Sequence, residues 1–234
     1  MNKRKVGKIF IPAQKPKDWI PLLAKGKKHW KEGYSAWALA YCWQEANDFP
    51  KSIKEVFSKS DIEVFKNVRL LMAFPEYKVP LQGGLRSSQN DLFILAKSKN
   101  ELISITVEGK VSEDFGQLVS EWKRLKDDKT NKPERLNFLL AELNLVGKSV
   151  ERIRYQLLHR AVSALLEARE FNAKNALMLI HSFSSDDEHF DDFMKFLSLF
   201  ELTAKPNTVT GPKVVKGINL YFAWVRSDEK YCKT

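Results

Sequence analysis

The amino-acid sequence predicts an α/β fold: a mixed sheet flanked by helices on both sides, with a helical N-terminal part. Four observations lead there. Residues 92–96 form a continuous apolar run, the mark of a strand covered on both faces. Residues 102–107 behind it alternate, with Ile103, Ile105 and Val107 on one face and Ser104, Thr106 and Glu108 on the other. The stretch 150–168 sets Val150, Ile153, Leu157, Ala161, Ala164, Leu165 and Ala168 at helical spacing, a long amphipathic helix. Finally, residues 176–180 and 218–225 are apolar strand-like runs separated by a helical stretch.

Taken in order, residues 37–46 combine good helix formers with few breakers and read as a buried helix closed by Phe49-Pro50. Residues 52–57 give a second short helix, and residues 68–74 a strand that Pro75 stops. The polar stretch 82–90, with Gly83-Gly84, reads as a turn and a loop available for function. It is not a phosphate-binding P-loop, because no Gly-Lys-Ser/Thr follows. Lys97-Ser98-Lys99-Asn100 turns the second strand into the third. Helical pattern resumes at 115–126, 134–143 and 150–168, and an acidic-started helix covers 186–200. The expected order is helices, three strands, helices, strand, helix, strand, in a single domain over 1–234 without internal repeats.

Composition narrows the function classes. In 234 residues, 44% are hydrophobic and 12% aromatic, which excludes general disorder. The net charge of +10 is unevenly placed: residues 1–60 carry +8, 61–119 carry −1, 120–174 carry +4 and 175–234 carry −1. Basic helical flanks around a near-neutral strand region suit a polyanion such as a nucleic-acid backbone. Cys42 and Cys232 form neither a disulfide framework nor a zinc motif, and His29, His159, His181 and His189 lack metal-ligand spacing. The basic Met1–Lys5 start is followed by too short an apolar stretch, Ile9-Phe10-Ile11 before Pro12, for a secretory signal. No apolar run nears the roughly 20 residues that cross a bilayer, so the expectation is a cytoplasmic protein with no membrane partner.

The chemistry concentrates at Asp91, where the second strand begins, and Glu108-Gly109-Lys110, where the third ends. On an extended chain Glu108 and Lys110 share a face, and a hairpin puts Asp91 across from Glu108. Two converging carboxylates beside a lysine suit a hard divalent cation such as Mg²⁺, with the lysine assisting a nucleophilic water. The triplet alone is uninformative. Five acid-x-Lys triplets occur, at Glu76, Glu108, Glu121, Asp127 and Asp228, about the number that composition gives by chance. Only the one at Glu108 closes an alternating strand and follows a strand beginning in Asp.

Asn90-Asp91, sixteen residues of strand-turn-strand, then Glu108-Gly109-Lys110 resembles the signature of the PD-(D/E)xK nuclease superfamily, of restriction-endonuclease-like fold. The resemblance in element order covers roughly residues 35–185. It implies a metal-dependent nuclease hydrolysing phosphodiester bonds, with Asp91 and Glu108 as metal ligands, Lys110 as the catalytic lysine, and Mg²⁺ or Mn²⁺ as cofactor. It further implies an acid from the first core helix, best matched by Glu45, and a polar residue from the helix after the site, best matched by Gln156. Asn90 stands where the family has proline, and the Gln-xxx-Tyr pattern of one branch is absent. On this reading residues 1–60 are a basic helical N-terminal part, 61–185 the nuclease-like core and 186–234 a C-terminal helix and strand.

The stripe Arg152, Gln156, His159, Arg160 and Ser163 reads as the wet face of a helix or, turned to a groove, as a place where Arg152 and Arg160 meet phosphate. Lys27 and Lys28, in the basic-aromatic cluster 25–31, are further nucleic-acid contacts. Trp30 in that cluster reads as packing, His181 as a core histidine, and Glu113-Asp114 as a helix start. The overall expectation is a DNA endonuclease rather than an RNA enzyme, with a homodimer suited to duplex cleavage. The alternative is a catalytically silent nuclease-like module that binds nucleic acid or assembles with protein.

Overall fold

The computed structural model describes residues 13–126 and 129–233; the N-terminal signal reading at 1–12 and the Asp127 triplet lie outside the described residues. After short 3-10 turns at Pro16–Leu22 and Gly26–Lys28 come helices α1 (Ser35–Ala46) and α2 (Lys51–Lys59). Strands β1 (Arg69–Val79), β2 (Ser88–Ser98) and β3 (Glu101–Lys110) follow. Then come α3 (Val119–Trp122), α4 (Lys132–Glu142), α5 (Tyr155–Glu170), β4 (Asn175–Ser182), α6 (Phe190–Ser198), β5 (Thr208–Val215) and β6 (Ile218–Arg226).

The strands make one six-stranded mixed sheet in the order β1-β2-β3-β4-β6-β5. The β1-β2-β3 meander is antiparallel, β4 lies parallel to β3 and β6 parallel to β4, and β5 closes the far edge antiparallel to β6. Alternating side chains divide the interior into two layers. Ala176, Met178 and Ile180 of β4 face α4, α5 and α6, whereas Leu177 and Leu179 face α1 and α2. β4 is buried along its whole length, as a central parallel strand must be. No helix among the described residues is long and apolar enough to cross a membrane.

Four elements differ from the sequence reading. β1 runs through Pro75 to Val79, because an edge strand tolerates a residue with no N–H. β5 was not among the expected strands: the other edge of the sheet accepts Gly211 and Pro212, and Lys216-Gly217 turns it into β6. The expected helix at 115–126 shrinks to α3, and α5 begins at Tyr155, leaving Arg152 in the preceding turn.

The glycine-bearing loop is a clasp. Arg135, buried on α4, donates to the carbonyls of Leu81, Gln82, Gly84 and Arg86. Gly83 has φ +86, and a Cβ there would lie 2.5 Å from the Arg135 backbone nitrogen, so no side chain fits.

Candidate active site

α5 crosses β3 in a fixed step. Ser104 Oγ donates to the Ala164 carbonyl at 2.9 Å and Thr106 Oγ1 to the Arg160 carbonyl at 3.2 Å. One step further on, Gln156 Nε2 donates to Glu108 Oε1 at 2.7 Å. Two residues along the strand, about 6.6 Å, match four along the helix, about 6 Å, so the polar face of β3 meets successive turns of α5. The stripe expected to be the wet face of the helix is instead turned inward: Arg160 and Ser163 are buried and Gln156 half-buried.

At the end of this ladder Lys110 Nζ donates to Glu108 Oε1 (3.0 Å), Gln156 Oε1 (3.2 Å) and the Asp114 carbonyl (3.1 Å), and lies 4.7 Å from the Phe115 ring centroid. The β2–β3 register pairs Leu92 with Val107, and one step beyond places Asp91 beside Glu108. The Asp91 carboxylate, 21% exposed, accepts from the Gly109 backbone N–H at 2.8 Å. Asp91, Glu108, Lys110 and Gln156 are thus brought together.

Arg160 is a correction. Rather than reaching out to a phosphate backbone, it is buried between the two acids. Its Nε donates to Glu108 Oε2 at 2.5 Å, one terminal nitrogen lies 3.8 Å from Asp91 Oδ1, and the other donates to Ser88 Oγ at 3.2 Å. Arg152 is exposed in the turn before α5, so it is not on the helix that carries Gln156 and Arg160. Glu45 is also not part of the cluster. It sits at the C-terminal end of α1, 62% exposed, paired with Lys230 at 3.8 Å, while only the N-terminal end of α1 approaches the acids. Lys27 and Lys28 are both exposed, and Lys28 lines the cavity beside Asp91.

Two acids were not anticipated. The β1–β2 register places Glu76 opposite Asp91, since Pro75 pairs with Leu92 and Tyr77 with Asn90. Its backbone is left-handed, φ +53, an outlier for a strand residue, and Gln89 Nε2 donates to its carboxylate at 2.6 Å. The Glu76-Tyr77-Lys78 triplet was a signal, but the expected stop at Pro75 hid it. Glu113 begins no helix of its own. It reaches the start of α1, accepting from the Ser35 N–H at 2.7 Å, where a carboxylate favours the helix dipole.

The electrostatics follow from this crowding. Burial, and then the Glu108 charge, push Asp91 up to about 7. Burial and the Asp91 charge push Glu76 up to about 8. Burial works against the Glu108 charge too, but Arg160 and Lys110 outweigh it and hold that carboxyl below the usual range. His181 is the expected core histidine, accepting from Trp43 Nε1 at 3.2 Å and pushed by burial down to about 3.

Comparison with known families places residues 12–229 within DUF6946, a domain of unknown function. The chain belongs to this family. No curated protein and no solved structure matches this DUF6946 member.

Proposed function

We propose that this DUF6946 domain hydrolyses phosphodiester bonds in nucleic acid with the help of a divalent metal, on a restriction-endonuclease-like core. The observation that carries the reading is Lys110 bonded to both Glu108 and Gln156, with the Asp91 carboxylate alongside and opening into a cavity. A lysine so held keeps its ammonium pointed at one place, where it can counter charge developing on a phosphate or pass a proton. Gln156 fixes it from α5, and the Phe115 ring confines it from the other side.

The donor set suits Mg²⁺ or Mn²⁺ within limits. Among the described residues no group of three or more His, Cys, Asp or Glu is gathered tightly enough to hold a metal alone. Mg²⁺ is commonly held by one or two carboxylates, with waters and substrate phosphate completing its shell. Asp91 and Glu108 would supply those two; burial, and then the Glu108 charge, push Asp91 up, so a cation taken there would displace a proton from it. When bound, such an ion supplies charge stabilisation at the phosphate and lowers the pKa of a water.

One observation favours a second reading. The Arg160 guanidinium already bridges Asp91 and Glu108, a built-in cation that would suit a nuclease-like module that binds nucleic acid without cutting it. The deciding experiment incubates the protein with single-stranded and duplex DNA and RNA in Mg²⁺ or Mn²⁺, beside Asp91→Ala and Lys110→Ala. Cleavage lost in both variants supports hydrolysis. Binding without cleavage by the wild type, unaffected by either substitution, supports the module.

A further inference from the structure

We infer that the cavity beside Asp91 takes an unpaired nucleotide of a single-stranded nucleic acid, its phosphate held at the rim by Lys28, His29 and Lys31 and its base laid on Tyr34. The cavity measures about 520 Å³ and has walls of two kinds. Its rim comes from the end of the second 3-10 turn and the segment leading to α1, where Lys28, His29 and Lys31 are exposed. Its inner side comes from β1, β2 and α5, where Glu76 and Asp91 are half-buried beside the buried Arg160, with Glu113 at the start of α1. The cations are gathered at the rim, whereas the acids of the inner side are already met by Arg160, so a strand's phosphate is held best at the rim.

Tyr34 adds the second recognition element. It is a large aromatic left 46% exposed on the cavity wall, with Lys31 Nζ 5.6 Å from its ring centroid. An exposed ring beside cations is how proteins hold single strands, since every base has a face to stack. The segment that carries these groups is braced. Trp30 packs on Trp37 at 5.1 Å and Trp37 on Tyr41 at 4.7 Å, tying the rim to α1. A volume of this size falls in the roughly 300–1,000 Å³ range of small-ligand pockets, enough for one nucleotide. Bases in a duplex are stacked and paired, so reaching into such a cavity requires an unpaired strand.

The inference names the substrate class of the site proposed above, and depends on that reading for hydrolysis but not for binding. It is tested by fluorescence anisotropy of the full chain in EDTA, using one labelled sequence as single-stranded DNA, single-stranded RNA and blunt DNA duplex. The expected result is tighter binding of a single strand than of the duplex, the two single-strand arms showing which sugar is preferred. Tyr34→Ala should weaken single-strand binding about 5- to 150-fold, the loss of one stacking platform, while Tyr34→Phe should preserve it. Lys28→Ala and Lys31→Ala should each flatten the logarithmic salt dependence by about 0.7. The inference is overturned if the duplex binds as tightly as the single strands, or if no strand binds. It is also overturned if Tyr34→Ala, melting like the wild type, binds like it; should that variant melt early, the lysine salt slopes decide. Single-strand binding without cleavage after Mg²⁺ or Mn²⁺ is added would remove the hydrolysis reading and leave the inference standing.

Discussion

Arg160 Nε meets Glu108 Oε2 at 2.5 Å, with the two side chains only 7% and 4% exposed. Removing one member of so buried a pair leaves the other charge without compensation, which typically costs about 3–5 kcal/mol. Arg160→Met should therefore lower the free energy of unfolding by that amount, read as a lower urea midpoint with little change in slope. Adding Glu108→Leu should recover part of the loss, the rest being the Lys110 charge that Glu108 also meets. A double variant no more stable than the single one would show that the pair is not the source of the effect.

Asp91 makes stability depend on pH in a definite direction. Its carboxyl is pushed up to about 7 in the folded chain, against an ordinary value near 3.8. Between those values the folded state holds more protons than the unfolded one, so this group's contribution falls as pH rises from about 4 to about 7. Asp91→Asn should raise the melting temperature at about pH 8 more than at about pH 5. Equal shifts at both would contradict the assignment.

Divalent cations should act on the same group. Anything that binds only the folded chain stabilises it, by about 2.7 kcal/mol at a hundred times its Kd. Thermal unfolding with increasing Mg²⁺ or Mn²⁺ should move the wild-type midpoint upward and leave Asp91→Ala unmoved. Parallel shifts in both would point to nonspecific ion effects.

Glu45 supplies the opposite expectation. Its pair with Lys230 is exposed on both sides, and such pairs contribute about 0–1 kcal/mol. Glu45→Gln should leave nucleic-acid cleavage unchanged and unfolding nearly so. A large loss of cleavage would return this residue to the site.

Much of the fold was legible because burial leaves its period in the chain. The alternation at residues 102–107 and the helical stripe behind residue 150 both appear in the structure, on the faces expected. Edge strands were harder to read. β5 carries Gly211 and Pro212, and β1 continues past Pro75, because an edge lacks the second ladder that would forbid them. At the site, Asp91, Glu108 and Lys110 were readable from strand ends and spacing, and Gln156 only through the resemblance. Arg160 was misread, since a polar stripe on a helix looks the same whether it meets water or a polar strand. Glu76 depends on a left-handed backbone at one position, and Glu113 on a contact 78 residues away in sequence. Neither relationship leaves a local pattern.

The match between a two-residue step on β3 and a four-residue step on α5 has a consequence for how the chain can change. Ser104, Thr106 and Glu108 act as a gauge against Ala164, Arg160 and Gln156, so the spacing of the polar groups is set where the two elements touch. The connector over 111–154 does not set it. Lengthening that connector in its exposed turns should leave the gauge unmoved, whereas one residue inserted between Ser104 and Glu108 would turn the acid to the opposite face and dismantle the cluster at a stroke.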